Sequence, residues 1–166
     1  MRFTLIDKIV ELEPGVRISA VKTLTMAEEY LADHFPKFPV MPGVLMLEAM
    51  TEAAAWLIRA TENFASSMVV LREAANVKYV QFLEPGQTLI VAAEVFRHGQ
   101  GQTQVKASGS VEGHTVVSAR LTLASYNLGD ERPEYASTDE VLREELREQF
   151  RLLYQPSPGW AHAAPR

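Results

Sequence analysis

The sequence predicts an α+β fold in which an antiparallel sheet curls around one long central helix, with a further helix at the C-terminus. One apolar helical segment, about Val44 to Ala60, is followed by four strand candidates. Short turn signals separate those strands, as is typical of antiparallel sheets. A lone apolar helix followed by consecutive strands buries its surface against the sheet. The 166 residues are enough for one domain, or for one domain with a tail.

The N-terminal region is predicted to form a hairpin followed by a helical turn. The β-rich runs Ile6–Glu13 and Val16–Thr23 flank the turn signal Pro14-Gly15. After them, Met26–Leu31 has the pattern of a helical turn, with Thr25 as its N-cap.

The central helix carries one acid in its first half. Pro42 and Gly43 mark its start. Its apolar residues occupy every face, so we expect it to be enclosed on nearly all sides. An acid such as Glu48 is costly to bury there unless a neighbouring group needs it. His34, fourteen positions earlier, supplies such a group, and a His with a carboxylate is the minimal set for general acid–base chemistry.

Four strands are predicted after the helix. Glu84-Pro85-Gly86, a Gly-Gln-Gly run at 99–101 and Gly113 separate them. Hydrophobic residues alternate with polar ones along several of these runs, as on a half-buried sheet. The predicted strands are Met68–Phe82, Thr88–His98, Thr103–Glu112 and His114–Ser125.

The C-terminal region is predicted to be an extension of a core formed by residues 1–125. Residues 126–137 form a polar linker, and Ser137 with Glu140 has the capping-box pattern of a helix start. The helix, about Ser137 to Leu153, carries one apolar stripe that we expect to pack on the domain or on a neighbouring subunit. Gln155–Arg166 is predicted to be disordered. The stripe consists of Val141, Leu142, Leu146, Phe150 and Leu153.

Composition narrows the possible functions. A net charge of −5 argues against nucleic acid as a partner. The absence of cysteine excludes disulfides and thiol nucleophiles and fits a cytoplasmic protein. The N-terminus lacks the pattern of a signal peptide, and Glu48 and Glu52 interrupt the longest apolar run, so no membrane span is expected. No ligand spacing predicts a metal, and no phosphate loop predicts a nucleotide cofactor.

The stretch from His34 to Met50, HFPKFPVMPGVLMLEAM, carries a family resemblance. It resembles the signature of the β-hydroxyacyl-acyl carrier protein dehydratases, which have the hot-dog fold: His-Phe-Pro, a short gap, then Pro-Gly-Val-Leu-x-Leu-Glu-Ala-Met. FTLIDKIVELEPG near the start and VKYVQFLEPGQTL after the helix are similar to the same family. The resemblance covers roughly Phe3 to Ser125.

The resemblance implies a cofactor-free dehydration of a (3R)-3-hydroxyacyl thioester on acyl carrier protein to the trans-2-enoyl thioester. His34 would take the C2 proton and a protonated Glu48 would release the C3 hydroxyl as water. Backbone N–H groups of Gly43 and Val44 at the helix start suit the thioester oxygen as it gains charge. The resemblance also implies homodimers in which His of one chain meets Glu of the other; in that family such dimers often assemble into hexamers, as trimers of dimers.

Two aromatic residues and three basic ones are candidates for contacts with the acyl chain and with its carrier. Phe82 and Tyr79 are candidates for lining an acyl channel, although core packing explains them equally well. The carrier protein is acidic, so we expect it to dock on a basic patch. The patch candidates are Lys37 and either Lys78 or Arg72.

Two departures from the family pattern suggest a divergent branch. Lys37 stands where the family usually has Gly, and Glu52 stands where it usually has Gln. Glu52 shares a helix face with Glu48 and would raise the pKa of Glu48 if both were buried; otherwise it marks an altered site or simply faces solvent. The alternative functions are a hot-dog thioesterase and a non-catalytic acyl-binding partner subunit.

Overall fold

A computed structural model describes residues 4–35, 37–99 and 101–155. Within these ranges the chain forms three α-helices, two short 3-10 helices at Leu128–Asp130 and Pro133–Tyr135, and one six-stranded antiparallel sheet of order β1-β2-β4-β5-β6-β3. The elements are β1 Lys8–Glu13, β2 Arg17–Thr23, α1 Tyr30–Asp33, α2 Gly43–Thr61, β3 Met68–Tyr79, β4 Thr88–Gly99, β5 Gln102–Val111, β6 His114–Tyr126 and α3 Ala136–Leu153.

The core lies between α2 and the sheet. Helix α2 contacts all six strands, which confirms the predicted sheet around one central helix. Along β5, alternate residues from Thr103 to Val111 are buried while those between them face outward. The sheet therefore gives its apolar face to α2, as the alternation predicts. Large buried side chains in this layer include Met46, Met50, Leu57, Leu89, Leu121 and Leu123.

The predicted hairpin and the last three strands are confirmed to within one residue or two, but two boundaries differ. Strand β3 ends at Tyr79 rather than Phe82. After Tyr79 the N–H of Val80 still donates to the Val116 carbonyl of β6. The chain then turns toward the loop before α2, where buried Leu83 accepts a hydrogen bond from the N–H of Met41 at 2.9 Å. Helix α1 begins at Tyr30, and Thr25 instead caps a preceding turn by accepting the Ala27 N–H at 3.3 Å.

The capping box predicted at Ser137 is wrong. Helix α3 begins one residue earlier, and no side chain caps its N-terminus. Instead, the buried carboxylate of Asp139 accepts hydrogen bonds from the N–H groups of Leu128 and Gly129 and from the Ser67 hydroxyl. Burial acts to raise the pKa of Asp139, but the bonds from Ser67, Gly129 and Leu128 outweigh it and hold this pKa below its usual range. Asp139 thus fixes α3 to the linker and to the start of β3.

Helix α3 packs on the domain through the C-terminal part of its predicted stripe. The Phe150 ring lies 6.0 Å from that of Trp56 and 5.3 Å from that of Phe64. Leu153 is buried and Leu146 packs against the core, but Val141 is 59% exposed and does not pack on the domain within one chain, so its packing on a neighbouring subunit stays a prediction. Residues 156–166 of the tail predicted to be disordered lie outside the described residues.

Candidate active site

One face of α2 is open in the single chain. Val44 and Glu48, one turn apart, are exposed, and Val44 keeps 66% of its surface accessible. By contrast, nearly all residues from Ala49 to Ile58 are buried. The prediction that α2 is enclosed on nearly all sides, with Glu48 in apolar surroundings, is therefore wrong for one chain alone. These two side chains lie away from the sheet, which covers the opposite side of the helix.

His34 lies at the end of α1 and is half-buried. Its N–H donates to the Tyr30 carbonyl at 3.0 Å, and its ring lies 4.3 Å from that of Phe35. Phe35 has a φ of 50°, a left-handed conformation that few residues other than Gly adopt. Its carbonyl accepts the N–H of Phe38 at 2.7 Å. The surrounding contacts thus hold a strained turn directly beside the imidazole.

The predicted pair of His34 and Glu48 does not form within one chain. No hydrogen bond or ion pair joins the two side chains in the part of the chain that the structure describes. His34 sits in the loop region after α1, whereas Glu48 projects from the open face of α2. One chain alone therefore does not pair the His34 imidazole with the Glu48 carboxylate.

The N-terminus of α2 offers free backbone donors. The N–H groups of Leu45 and Met46 donate to the Pro42 carbonyl at 2.9 and 3.3 Å. Those of Gly43 and Val44 donate to none of the described residues. Two N–H groups at the positive end of a helix form a site for a developing oxyanion. Glu48 follows on the same helix, little more than one turn later.

Tyr79 and Phe82 lie beside this helix start and are exposed, at 48% and 56%. The Tyr79 ring packs against Gly43, and the Phe82 ring meets that of Phe38 edge-on at 5.6 Å. The sequence left two explanations open for these residues, core packing and an acyl channel. In the single chain they are exposed and are not part of the core.

Glu52 anchors the N-terminal segment. Its carboxylate accepts the N–H groups of Leu5 at 2.7 Å and Ile6 at 3.2 Å. Burial raises the pKa of Glu52, these hydrogen bonds and one from Trp56 oppose the shift, and the nearby Glu48 charge adds to it. Sequence reasoning missed this role, because the helix spacing shows that Glu52 follows Glu48 by one turn but not which segment meets it.

The predicted basic patch is divided in the single chain. Lys37 and Lys78 are exposed, and they precede Phe38 and Tyr79 in the sequence. Because successive side chains of a strand point to opposite faces, Lys78 lies on the other face of β3 from Tyr79. Arg72 is six residues from Lys78 along β3, a distance of about 20 Å in an extended strand, and lines a surface cleft near the linker.

Among residues 4–35, 37–99 and 101–155, no three His, Asp or Glu side chains are grouped as metal ligands. No helix there has the length and apolar character needed to cross a membrane.

Comparison with known proteins decides the family. Residues 1–120 match the model of the FabA-like domain. The chain belongs to the FabA-like family. The 3-hydroxyacyl-acyl-carrier-protein dehydratase FabZ of Thiobacillus denitrificans is 39% identical over 122 residues, covering 72% of this chain and 84% of that protein. FabZ of Nitrosomonas europaea is 37% identical over 120 residues, covering 70% and 78%.

Solved structures confirm the hot-dog fold of this FabA-like chain. The dehydratase heterocomplex ApeI:P from Xenorhabdus doucetiae superposes with a TM-score of 0.65 at 16% identity, covering 80% of this chain and 90% of that one. The smu.793 protein of Streptococcus mutans, bound to acetyl CoA, gives 0.59 at 13% identity, covering 75% and 92%. The FabA-like match ends at residue 120, within β6 and before α3.

Proposed function

We propose that this FabA-like protein dehydrates 3-hydroxyacyl groups carried on acyl carrier protein, forming the trans-2-enoyl thioester. The FabZ relatives, at 39% and 37% identity, support the reaction class. The observation that carries the proposal is on α2, where exposed Glu48 follows the free N–H groups of Gly43 and Val44. An acid beside an oxyanion site is what elimination from a thioester requires.

The proposed chemistry uses His34 as base and Glu48 as acid. The neutral imidazole accepts the C2 proton, and the electron pair of that C–H bond forms the C2–C3 double bond. Protonated Glu48 gives its proton to the C3 hydroxyl, the C3–O bond breaks and one water leaves. Negative charge that gathers on the thioester oxygen is stabilised by the N–H groups of Gly43 and Val44. Tyr79 and Phe82 are proposed to line the entry for the acyl chain.

A second copy of the chain is proposed to complete the site. Strand β3 is an edge strand of 12 residues whose outer side is unpaired in the single chain, and such edges are usually covered. Exposed apolar side chains gather where β3 ends and α2 begins, which is typical of an interface. The exposed apolar side chains are those of Phe35, Phe38, Val44, Tyr79, Val80 and Phe82. Pairing of two chains at this surface would bring His34 of one subunit to Glu48 of the other.

The proposed partner is an acidic acyl carrier protein, with Lys37 and Lys78 as its first contacts. Both are exposed, and they precede in sequence the aromatic residues Phe38 and Tyr79 near the proposed entry. Assembly of dimers into hexamers rests on the family resemblance alone.

Mass spectrometry of a 3-hydroxyacyl-carrier substrate incubated with the protein tests this function. We expect the loss of one water with the thioester intact, and no loss with the Glu48→Gln variant. Release of the free acid would instead indicate a thioesterase. If a folded and dimeric protein leaves the substrate unchanged, the remaining alternative is a non-catalytic acyl-binding subunit.

A further inference from the structure

Lys22 is a buried cation on the core side of the sheet. In β2 the inward positions Ile18 and Ala20 are apolar, and Lys22 continues their series with only 5% of its surface exposed. A lysine is rarely buried to this degree unless it is paired. Its Nζ lies 2.5 Å from the Glu28 carboxylate and 3.7 Å from that of Asp7.

Glu28 belongs to the segment that ends in His34. The N–H of Leu31 donates to the Glu28 carbonyl at 3.1 Å, and the N–H of His34 donates to the Tyr30 carbonyl at 3.0 Å. Leu31 is buried in the core, so the short helix cannot turn freely about its axis. Glu28 and His34 therefore belong to one short hydrogen-bonded segment.

Tyr30 shows how closely the acidic groups approach this helix. Its hydroxyl is buried and has no hydrogen-bond partner among the residues that the structure describes. Burial raises its pKa above the usual range, and the Glu28 and Asp7 charges raise it further. Without the Lys22 ammonium, two carboxylates would face this un-ionised hydroxyl with no counter-charge between them. Their repulsion would move the segment that Lys22 now holds.

We propose that Lys22, acting through Glu28, is a positioning residue for His34. The inference rests on the proposed function, in which His34 is the base. Lys22 touches neither substrate nor imidazole; it fixes the angle and depth at which α1 presents His34. A misplacement of about 1 Å caused by a distant mutation can lower a rate on the order of 100-fold.

Lys22→Met, Lys22→Arg and Glu28→Gln test the proposal with two readouts. The first is kcat and KM on a 3-hydroxyacyl-carrier substrate. The second is the NMR signal of the His34 ring, assigned by its loss in His34→Ala. We expect Lys22→Met and Glu28→Gln to lower kcat roughly 10- to 100-fold, with KM changed less than about twofold. The His34 signal should shift or broaden, and Lys22→Arg should restore both readouts.

Arg17→Met is the matched control, because Arg17 lies on the same strand and pairs with Glu11 at 2.9 Å in an exposed ion pair. It should leave both readouts unchanged. A folded Lys22→Met protein with wild-type kcat and an unchanged His34 signal would overturn the inference, as would a lower melting temperature with that signal unchanged. If Lys22→Met does not fold, Glu28→Gln decides by the same readouts. If the wild type proves inactive, the proposed function fails, and the His34 signal alone decides whether Lys22 positions it.

Discussion

The ring of Tyr79 lies directly over Gly43 at the start of α2. A Cβ built on Gly43 would lie 3.0 Å from Cε1 of that ring and 3.1 Å from Cδ1. Contacts this short require the exposed ring to shift by a few tenths of an ångström, so glycine leaves room for its present position beside the free N–H groups of the helix start. The role of glycine here is one of space rather than of an unusual backbone angle.

Gly43→Ala should therefore lower dehydration more than it lowers stability. Alanine is favoured over glycine in helices by up to about 1 kcal/mol, which offsets part of the clash with Tyr79. We expect a melting temperature close to that of the wild type and a reduced kcat. In a Tyr79→Ala background, the same substitution should cost less, because the ring is gone. A lower melting temperature with unchanged kcat would contradict a role for this helix start in the reaction.

His34→Ala and Glu48→Gln should each abolish dehydration while leaving the fold intact. Loss of a positioned acid or base costs roughly 100- to 10,000-fold in rate. Glu48 is exposed in the single chain, so its substitution should not disturb the core. Mixing the two inactive variants under exchange of subunits should restore part of the activity, because some mixed dimers hold one complete site. Glu140→Gln, an exposed carboxylate on α3, serves as the control.

The strands and the central helix could be predicted because alternation and apolar runs are local properties of the sequence. The open face of α2 could not be predicted, because Val44 is an apolar residue that is nevertheless exposed in the single chain. An exposed apolar residue indicates an interface between chains. The sequence pattern of one chain does not distinguish an interface residue from a core residue. The partners of Glu52 were missed for another reason. They lie about 47 positions earlier, and only the folded chain brings them together.

Charge reversal should reveal the docking surface for the carrier protein. Lys37→Glu and Lys78→Glu should raise KM for a carrier-bound substrate, and the effect should shrink as salt screens the attraction. Lys106→Glu, an exposed lysine on the outward side of β5, is the control and should leave KM unchanged. An unaltered KM for Lys37→Glu would show that Lys37 is not part of the docking surface. An unaltered KM for Lys78→Glu would show the same for Lys78.

Glu52 should make a pH-dependent contribution to stability. Its pKa is raised in the folded protein, chiefly by burial, so the ionised carboxylate is the unfavourable form. Relative to Glu52→Gln, the wild type should gain stability as pH falls through the raised pKa, and the gain should be complete below the ordinary value near 4.5. At pH 7, Glu52→Gln should melt no lower than the wild type, because an amide oxygen can still accept the N–H of Leu5.

Glu52→Leu separates the charge from the hydrogen bonds. It leaves the N–H groups of Leu5 and Ile6 without their acceptor, so we expect a loss of about 1–3 kcal/mol that persists at every pH. Thermal melts of both variants at several pH values provide the measurement. If Glu52→Gln and Glu52→Leu lower the stability equally, the charge of the carboxylate itself holds the N-terminal segment.

Phe150→Ala should lower stability without changing the reaction. Phe150 is half-buried and closes α3 onto Trp56 and Phe64 within one chain, at the end of α2 away from Gly43. Full burial of Phe makes truncation to Ala cost about 3–5 kcal/mol, so about 2 kcal/mol is expected for this position. Leu152→Ala on the same helix, at a residue 76% exposed, should have almost no effect. Denaturant unfolding gives the free-energy difference, and kcat measured well below the melting temperature should match the wild type.

The oligomeric state should be the same for both variants, because the buried part of the α3 stripe packs inside the chain. Light scattering measures this state. Dissociation of the Phe150→Ala protein would mean that α3 also supports an interface between subunits.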